Sequence, residues 1–522
     1  VGFARTYSVA LVGLHGHIVD VEADVSQGLP GFVLLGLPDT ALNESKERVR
    51  SAAKNSGISL TQHRLTINLT PATLPKRGSG FDLAMVIAAL QAERNLHPSG
   101  DCVFLGELGL DGSLRSVPGI LPAVKAAADA GHSRVVVPHA NVAEASLIPG
   151  IQVAGFRCLA EVFSAFGAST ENLKYPPAPV ESMTPNPSAH TAVLADMSDV
   201  AGQQQGRFAL EIAAAGGHHI LLQGPPGSGK TMLAERLPTI LPLLDDEAAM
   251  EVTAIQSLCS SDASLSELVR IPPFEAPHHS ASAPAILGGG SGIPRPGCVS
   301  KAHRGVLFLD EAPEFKRTVL DSLRQPLESG EIVLDRAAAS AIYPARFQLV
   351  LAANPCPCGM NVGTGADCTC TPRERRSYFS RLSGPLLDRI DLNLMVPKVS
   401  SAELASQERG ESSRSIRERI ITARAAQVER LSPYGLRVNA ETNGKILRGP
   451  LRLNSTLVQG LNRAVDRGTL TARGYDRVLR TAWTLSDLDG TTSPQQEHLD
   501  VALFLRQQGG HQGLLKLSTL ME

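Results

Sequence analysis

A length of 522 residues is enough for about three domains at ~150 residues each. The 43% hydrophobic and 19% charged content is ordinary for a globular chain, and a net charge of −2 excludes a globally basic surface, so any nucleic acid must meet a local patch or channel. No run approaches the ~18 consecutive apolar residues of a membrane span.

The first apolar run, Ser8–Leu14, is short and soon meets His15 and His17. It reads as a strand rather than a signal peptide, which makes the cytoplasm the expected location. Period-2 alternation over Ile18–Val25 and Leu65–Leu69 predicts two further strands. Ala41–Lys54 and Phe81–Ala92 read as helices, the second with an apolar stripe of Leu83, Met85, Val86 and Leu90. Val103–Gly112 suggests a strand ending in a hairpin, Gly119–Ala130 a helix, and Arg134–Pro138 another strand.

This order, with Pro75-Lys76-Arg77-Gly78-Ser79-Gly80-Phe81-Asp82 and Gly112-Ser113-Leu114-Arg115-Ser116-Val117-Pro118-Gly119-Ile120-Leu121, resembles the proteolytic domain of Lon. Lon-type peptidases use a serine nucleophile activated by a lysine. Laying the motifs together places Gly80 at the serine position and Leu121 at the lysine position, and Ser79 is one residue out of register. The expectation for residues 1–172 is a Lon-like α/β platform that is not an active peptidase. A Pro-rich spacer over 173–194, with Pro176, Pro177, Pro179, Pro185 and Pro187, then separates it from the remainder of the chain.

Residues 195–400 hold the nucleotide chemistry. Asp199–Gln203 leads into a helix over Gln205–Ala215 and is either an adenine-side segment or a plain loop. The apolar strand His219–Leu222 then opens into Gly224-Pro225-Pro226-Gly227-Ser228-Gly229-Lys230-Thr231 and a helix from Met232. Strand, Gly-rich loop and helix start make a P-loop, whose backbone amides and helix N-terminus cradle phosphates. Lys230 would reach the β- and γ-phosphates and Thr231 would sit on Mg²⁺. Gly305–Leu309 is a buried strand ending in Asp310 and Glu311, one acid for Mg²⁺ and one to polarise the attacking water. Asn354, at the end of the strand Phe347–Ala353, suits a γ-phosphate or water contact, although Asn at a strand end is also an ordinary turn former. Arg389, in Ser383–Asp391, could act as an arginine finger on a neighbouring subunit's γ-phosphate or pair within the chain with Asp388 or Asp391.

Cys356, Cys358, Cys368 and Cys370 form Cys-x-Cys, a nine-residue loop and Cys-x-Cys. Four soft ligands in one loop suit a structural Zn²⁺, with unmetallated thiols as the alternative. His278 and His279 are not expected to bind metal, since adjacent His side chains point apart.

The order P-loop, Asp-Glu, Asn, Arg resembles AAA+ ATPases of the helix-2-insert, magnesium-chelatase-like branch. With Ala276-Pro277-His278-His279, Asn354-Pro355-Cys356-Pro357-Cys358-Gly359 and the Lon-like part, essentially the whole chain is similar to the ComM/YifB family. The resemblance implies an α/β fold: an AAA+ P-loop core with a helical lid over 401–522, preceded by the Lon-like domain. It also implies ATP and Mg²⁺ as cofactors and a homohexamer that moves DNA in helicase or branch-migration work during recombination of incoming DNA.

The resemblance places the loop Pro277–Gly292 and the hairpin-like Glu331–Arg346 at a central pore, which makes Lys301, His303, Arg304 and Arg336 the candidate DNA contacts. Isolated basic residues are otherwise simply solvated. It puts Arg473 at the sensor-2 position, closing over the phosphates, with Arg477 and Arg480 one and two turns further on. The expected lid helices are Ala402–Leu431, Ser455–Asp487 and Ser493–Leu505. The rival reading is a chelatase-like motor that remodels a protein or delivers a metal, without DNA.

Overall fold

A computed structural model describes residues 2–36, 40–60, 64–76, 78–177, 195–259, 265–290, 294–336, 340–361, 365–401, 403 and 410–507. Most of the Pro-rich spacer, from 178 to 194, lies outside the described residues, as do Arg77, residues 291–293 and 337–339.

The first domain is built on a seven-stranded sheet of order β3-β4-β2-β1-β5-β8-β9. Its strands are β1 (Gly2–Val12), β2 (His15–Ser26), β3 (Gly31–Leu35), β4 (Arg64–Thr70), β5 (Val103–Phe104), β8 (Arg134–Pro138) and β9 (Gln152–Phe156). A small hairpin, β6 (Glu107–Leu108) with β7 (Leu114–Arg115), stands apart. β1 to β2 and β2 to β4 run antiparallel, whereas β5, β8 and β9 run parallel. The helix Asp82–Ala92 differs from the expected one-sided stripe. All of its residues except Gln91 are buried, which Ala84, Ala88 and Ala89 permit by letting neighbours approach. Asp82 is tolerated inside because Arg48 Nε donates to it at 2.8 Å.

The second domain holds a parallel five-stranded sheet of order β11-β14-β17-β10-β18. These strands are β10 (Ile220–Gln223), β11 (Phe274–Glu275), β14 (Val306–Leu309), β17 (Gln348–Ala353) and β18 (Leu392–Met395). β10, β14 and β17 are buried throughout, as a parallel sheet covered on both faces requires. The stretch after β11 is not one long loop. It contains a short helix, Ala283–Leu287, and a ribbon of β12 (Gly288–Gly289) with β13 (Arg295–Pro296). The predicted hairpin is present as β15 (Glu331–Asp335) and β16 (Ser340–Pro344).

The C-terminal helices include Ser413–Leu431, Gln459–Asp466, Ala472–Leu488 and Gln496–Arg506. The single helix expected over Ser455–Asp487 is two, because Gly468 takes a φ of +70° and Thr471 then caps a new N-terminus through the Gly474 amide. Leu479, Ala482 and Trp483 from this region share one core with Ile212, Leu222 and Leu237. These helices therefore fold onto the ATPase core as one apolar unit.

They do not sit above the P-loop. His218 Nε2 lies 2.7 Å from Thr484 Oγ1, Arg477 donates to Asp391 at 2.9 Å, and Gln427 Nε2 donates to the Ala215 carbonyl. All three contacts fall before the first residues of β10 and β18, at the amino ends of the parallel strands. The first domain docks through its helix Ile120–Asp129 onto the helix Asp246–Cys259, where the Gly119 amide donates to the Ser257 carbonyl at 3.0 Å. Among the described residues, no helix is long and apolar enough to cross a membrane.

Candidate active site

The P-loop leaves β10 at Gly224, where a Cβ would come within 2.3 Å of the Val396 carbonyl that follows β18. Gly227 and Gly229 take φ of +73° and +89°, so side chains there would be strained. The loop delivers Lys230 as the first residue of the helix Lys230–Ile240.

Lys230 Nζ donates to the carbonyls of Gly224 (2.8 Å) and Pro225 (2.9 Å) and to Asn354 Oδ1 (3.2 Å). Burial lowers its pKa. Only oxygen acceptors surround this ammonium, so its environment already suits phosphate oxygens. Thr231 Oγ1 donates to Asp310 Oδ2 at 2.9 Å, the two groups that would share a Mg²⁺. Glu311 is exposed, with a φ of +49°, and its amide donates back to Asp310 Oδ1. A non-glycine residue in this region stores strain, a feature that clusters at functional sites.

Lys230, Thr231, Asp310, Glu311 and Asn354 thus come together at the carboxyl ends of β10, β14 and β17. Two further side chains join the site: Gln203, which ends the segment read as adenine-side or plain loop, and His279, considered in the sequence as a metal ligand. Gln203 Nε2 donates to the carbonyls of Ser228 (3.0 Å) and Pro397 (2.7 Å), tying the loop to the end of β18. His279 Nδ1 lies 3.3 Å from Glu311 Oε2, and its ring meets Phe315 edge-on. Only the proximity of the Pro-His-His segment to β11, the strand beside β14, could have signalled this pair.

The two arginines are elsewhere. Arg389 is 7% exposed and pairs with Glu328, while its Nη1 donates to the Pro385 carbonyl. Neither Asp388 nor Asp391 is its partner. Asp391 is buried, which would raise its pKa, but Arg477 and then His218 hold it well below the ordinary carboxylate value. Arg473 is 4.0 Å from Asp388, with a 65% exposed side chain. The Asp391 amide donates to the carbonyl of His219, the residue before β10, whereas the P-loop begins after it. Five residues of strand, roughly 16 Å, therefore separate this group from the P-loop. Arg473 thus sits with Asp388 near the amino end of β18, and not over the P-loop, in this structure.

The candidate DNA contacts divide. His303 is buried, with Nε2 at 2.9 Å from Glu251 and Nδ1 accepting from the Arg346 amide. Arg304 donates to the same carboxylate at 3.0 Å. Both are partners of the partly exposed Glu251 carboxylate, His303 from inside the fold and Arg304 with a 22% exposed side chain, instead of free basic residues. Lys301 is half-buried and faces the Glu275 carboxyl. Arg336 alone is exposed, at the end of β15, next to Gly289 of the ribbon. Tyr343 Oη of the hairpin donates to the carbonyl of Pro294, just before β13 of the ribbon, at 2.6 Å.

The four cysteine sulfurs converge: Cys356 to Cys358 is 3.3 Å, both to Cys368 are 3.7 Å, and all four lie within 4.8 Å of one another. The Met360 amide and then Cys356 draw the Cys358 thiol down to about 6. In the Lon-like domain, Leu121 is fully buried and Gly80 offers no nucleophile. Ser79 Oγ donates to Glu107, and Lys76 is buried with its ammonium on the carbonyls of Pro71 and Leu74. Neither is arranged as a serine–lysine dyad.

Comparison with known proteins agrees with this layout. The family described as "Magnesium chelatase, subunit ChlI" matches residues 196–404, "Subunit ChlI of Mg-chelatase" matches 21–141, and "Magnesium chelatase, subunit ChlI C-terminal" matches 410–506. An uncharacterised protein of Mycobacterium tuberculosis is 49% identical over 507 residues, 97% of this chain and 99% of that one. Competence protein ComM of Haemophilus influenzae is 41% identical over 96% of this chain and 97% of its own. YifB of Escherichia coli is 41% identical over 95% and 96%. Lon protease of Mycolicibacterium smegmatis is 29% identical over 147 residues, 27% of this chain and 19% of that protein. The chain belongs to the ComM/YifB family of magnesium-chelatase-like AAA+ ATPases.

Proposed function

We propose that this ATPase is a DNA motor that self-associates into a hexamer and drives strand separation or branch migration during recombination of incoming DNA. The observation that carries the reading is the mechanical link between loops and base. The hairpin that presents Arg336 is fastened to the ribbon through Tyr343 and Pro294, and the segment leading to the ribbon holds Glu311 through His279. A polyanion pulling on the exposed Arg336 would act on the group that activates water. Basic, flexible hairpins suit phosphate tracking. The name of the Haemophilus relative, a competence protein, agrees with uptake of DNA.

In hydrolysis, Glu311 takes a proton from water as the water oxygen bonds to the γ-phosphorus, and the bond from that phosphorus to the ADP oxygen breaks. Lys230 leaves its carbonyl partners for the phosphate oxygens, and Asn354, released from it, orients the γ-phosphate or the water. Thr231 and Asp310 would hold Mg²⁺, which neutralises charge on the phosphates. The remaining transition-state cation would come from a neighbour, a reading supported by Arg473 and Arg389 pairing with Asp388 and Glu328 instead of with the P-loop. Zn²⁺ at the four cysteines belongs to the same proposal as a structural ion, because four thiolates leave no position for water.

The test is the ATPase rate with and without single-stranded and forked DNA at two salt concentrations. Stimulation that weakens with salt supports the motor. An unchanged rate overturns it in favour of a chelatase-like remodeller acting on a protein or delivering a metal.

A further inference from the structure

The cysteine loop is fastened to the nucleotide site at both ends. It begins two residues after Asn354, whose side chain accepts from Lys230. Gly359, between the two cysteine pairs, has a φ of +75°, and a Cβ there would lie 2.5 Å from Pro226 Cδ. The loop backbone therefore rests on the P-loop itself. Directly after Cys370, Thr371 caps the helix Pro372–Ser380 with Glu374 as its reciprocal partner, and Arg375 of that helix donates back to Asn361 at 2.9 Å. Arg381, the residue that caps the end of that helix, donates to Glu314 at 2.7 Å, three residues beyond Glu311.

The sulfurs fit one tetrahedral ion. A Zn–S bond of about 2.3 Å implies S–S separations of roughly 3.8 Å, close to the 3.3–3.7 Å between the sulfurs of Cys356, Cys358 and Cys368. Emptied of an ion, four converging thiols attract one another only weakly, and the loop is left to the contact of Arg375 with Asn361 and the helix cap at Thr371.

We infer that a thiophilic divalent cation at Cys356, Cys358, Cys368 and Cys370 sets the positions of Pro226 and Asn354, so that nucleotide affinity depends on metal occupancy. This rests on the reading of the P-loop as the ATP site. Linkage makes the effect reciprocal: bound nucleotide must raise the affinity for the ion by the same factor that the ion raises affinity for nucleotide.

The experiment uses the full chain. Metal content is measured by elemental mass spectrometry, Co²⁺ substitution is followed through its thiolate charge-transfer absorption, and binding of a fluorescent ATP analogue is titrated before and after chelation and after reloading with Zn²⁺. The expected result is one ion per chain and a loss of nucleotide affinity of about tenfold on stripping, reversed on reloading. Cys368→Ser with Cys370→Ser should reproduce the loss, and reversal in the wild-type chain guards against a variant that merely misfolds. Lys230→Ala should keep the ion while losing the nucleotide. A chain that binds no ion overturns the site, and a chain that binds it but holds nucleotide equally well when stripped overturns the coupling. Failure of the metal-loaded wild type to bind the analogue at all would instead count against the ATP site.

Discussion

His279 Nδ1 and Glu311 Oε2 are 3.3 Å apart, a contact between the segment that leads into the ribbon and the residue placed to activate water. Held there, the carboxylate has one oxygen occupied. Removing the imidazole frees the base from the loops. His279→Ala should raise the DNA-independent ATPase rate a few-fold and flatten stimulation by DNA. A fall in basal rate with normal stimulation would show that His279 supports Glu311 in catalysis instead of restraining it.

Lys230 and Glu311 should separate binding from chemistry. Lys230 is the sole cation whose ammonium touches both the P-loop carbonyls and Asn354 among the described residues. Lys230→Ala should abolish measurable nucleotide binding. Glu311→Gln keeps the shape and loses the base, so it should bind ATP normally while turnover falls by about 10²–10⁴. Equilibrium titration beside steady-state rates checks both, and ordinary turnover by the Gln variant would remove Glu311 from its role.

What could be read from the chain was the chemistry carried by contiguous residues. The glycines of 224–229, the acids after a buried strand and the paired Cys-x-Cys segments impose their local geometry whatever surrounds them. What could not be read was set by packing between distant segments. His303 and Arg304 look like free basic residues, but Glu251, 52 residues before His303, captures both. Arg389 reads from the sequence as an arginine finger or as a partner of Asp388 or Asp391, whereas its partner in the fold is Glu328, 61 residues earlier. Arg473 carries the right motif, yet its place depends on helices packing at the amino ends of the sheet, which no local pattern encodes. Gly468, which takes a positive φ, falls inside the single helix expected over Ser455–Asp487 and ends its first half.

The position of Arg473 predicts shared sites. It is exposed beside Asp388, at the opposite end of β10 from Lys230. Arg473→Ala should leave ATP binding nearly intact and reduce turnover by about 10³ or more if it supplies transition-state charge to a neighbour. Mixing Arg473→Ala with Lys230→Ala subunits should then restore part of the activity, since some interfaces join an intact P-loop to an intact arginine. Arg389→Ala run in parallel tests whether the buried pair with Glu328 opens for the same purpose. No rescue in either mixture would count against action between subunits.

Acid stability should report on Glu251. Its hydrogen bond from His303, and then the nearby Arg304, bring its pKa from 4.5 to about 2, against the opposing effect of burial. Because His303 Nδ1 accepts from the Arg346 amide, the proton given to Glu251 sits on Nε2, and burial keeps the ring's own pKa low. The folded-state value of Glu251 is below its unfolded one, so its contribution is fully present above about pH 4.5 and is lost as the pH falls toward 2. The carboxylate is partly exposed, so solvent screening makes the contribution smaller than the shift alone implies. Thermal melts of the wild type should therefore fall over that window, and Glu251→Gln should show a lower melting temperature at neutral pH with a flatter acid limb. Parallel curves for the two proteins would show that the Glu251 pair does not govern this part of the acid response.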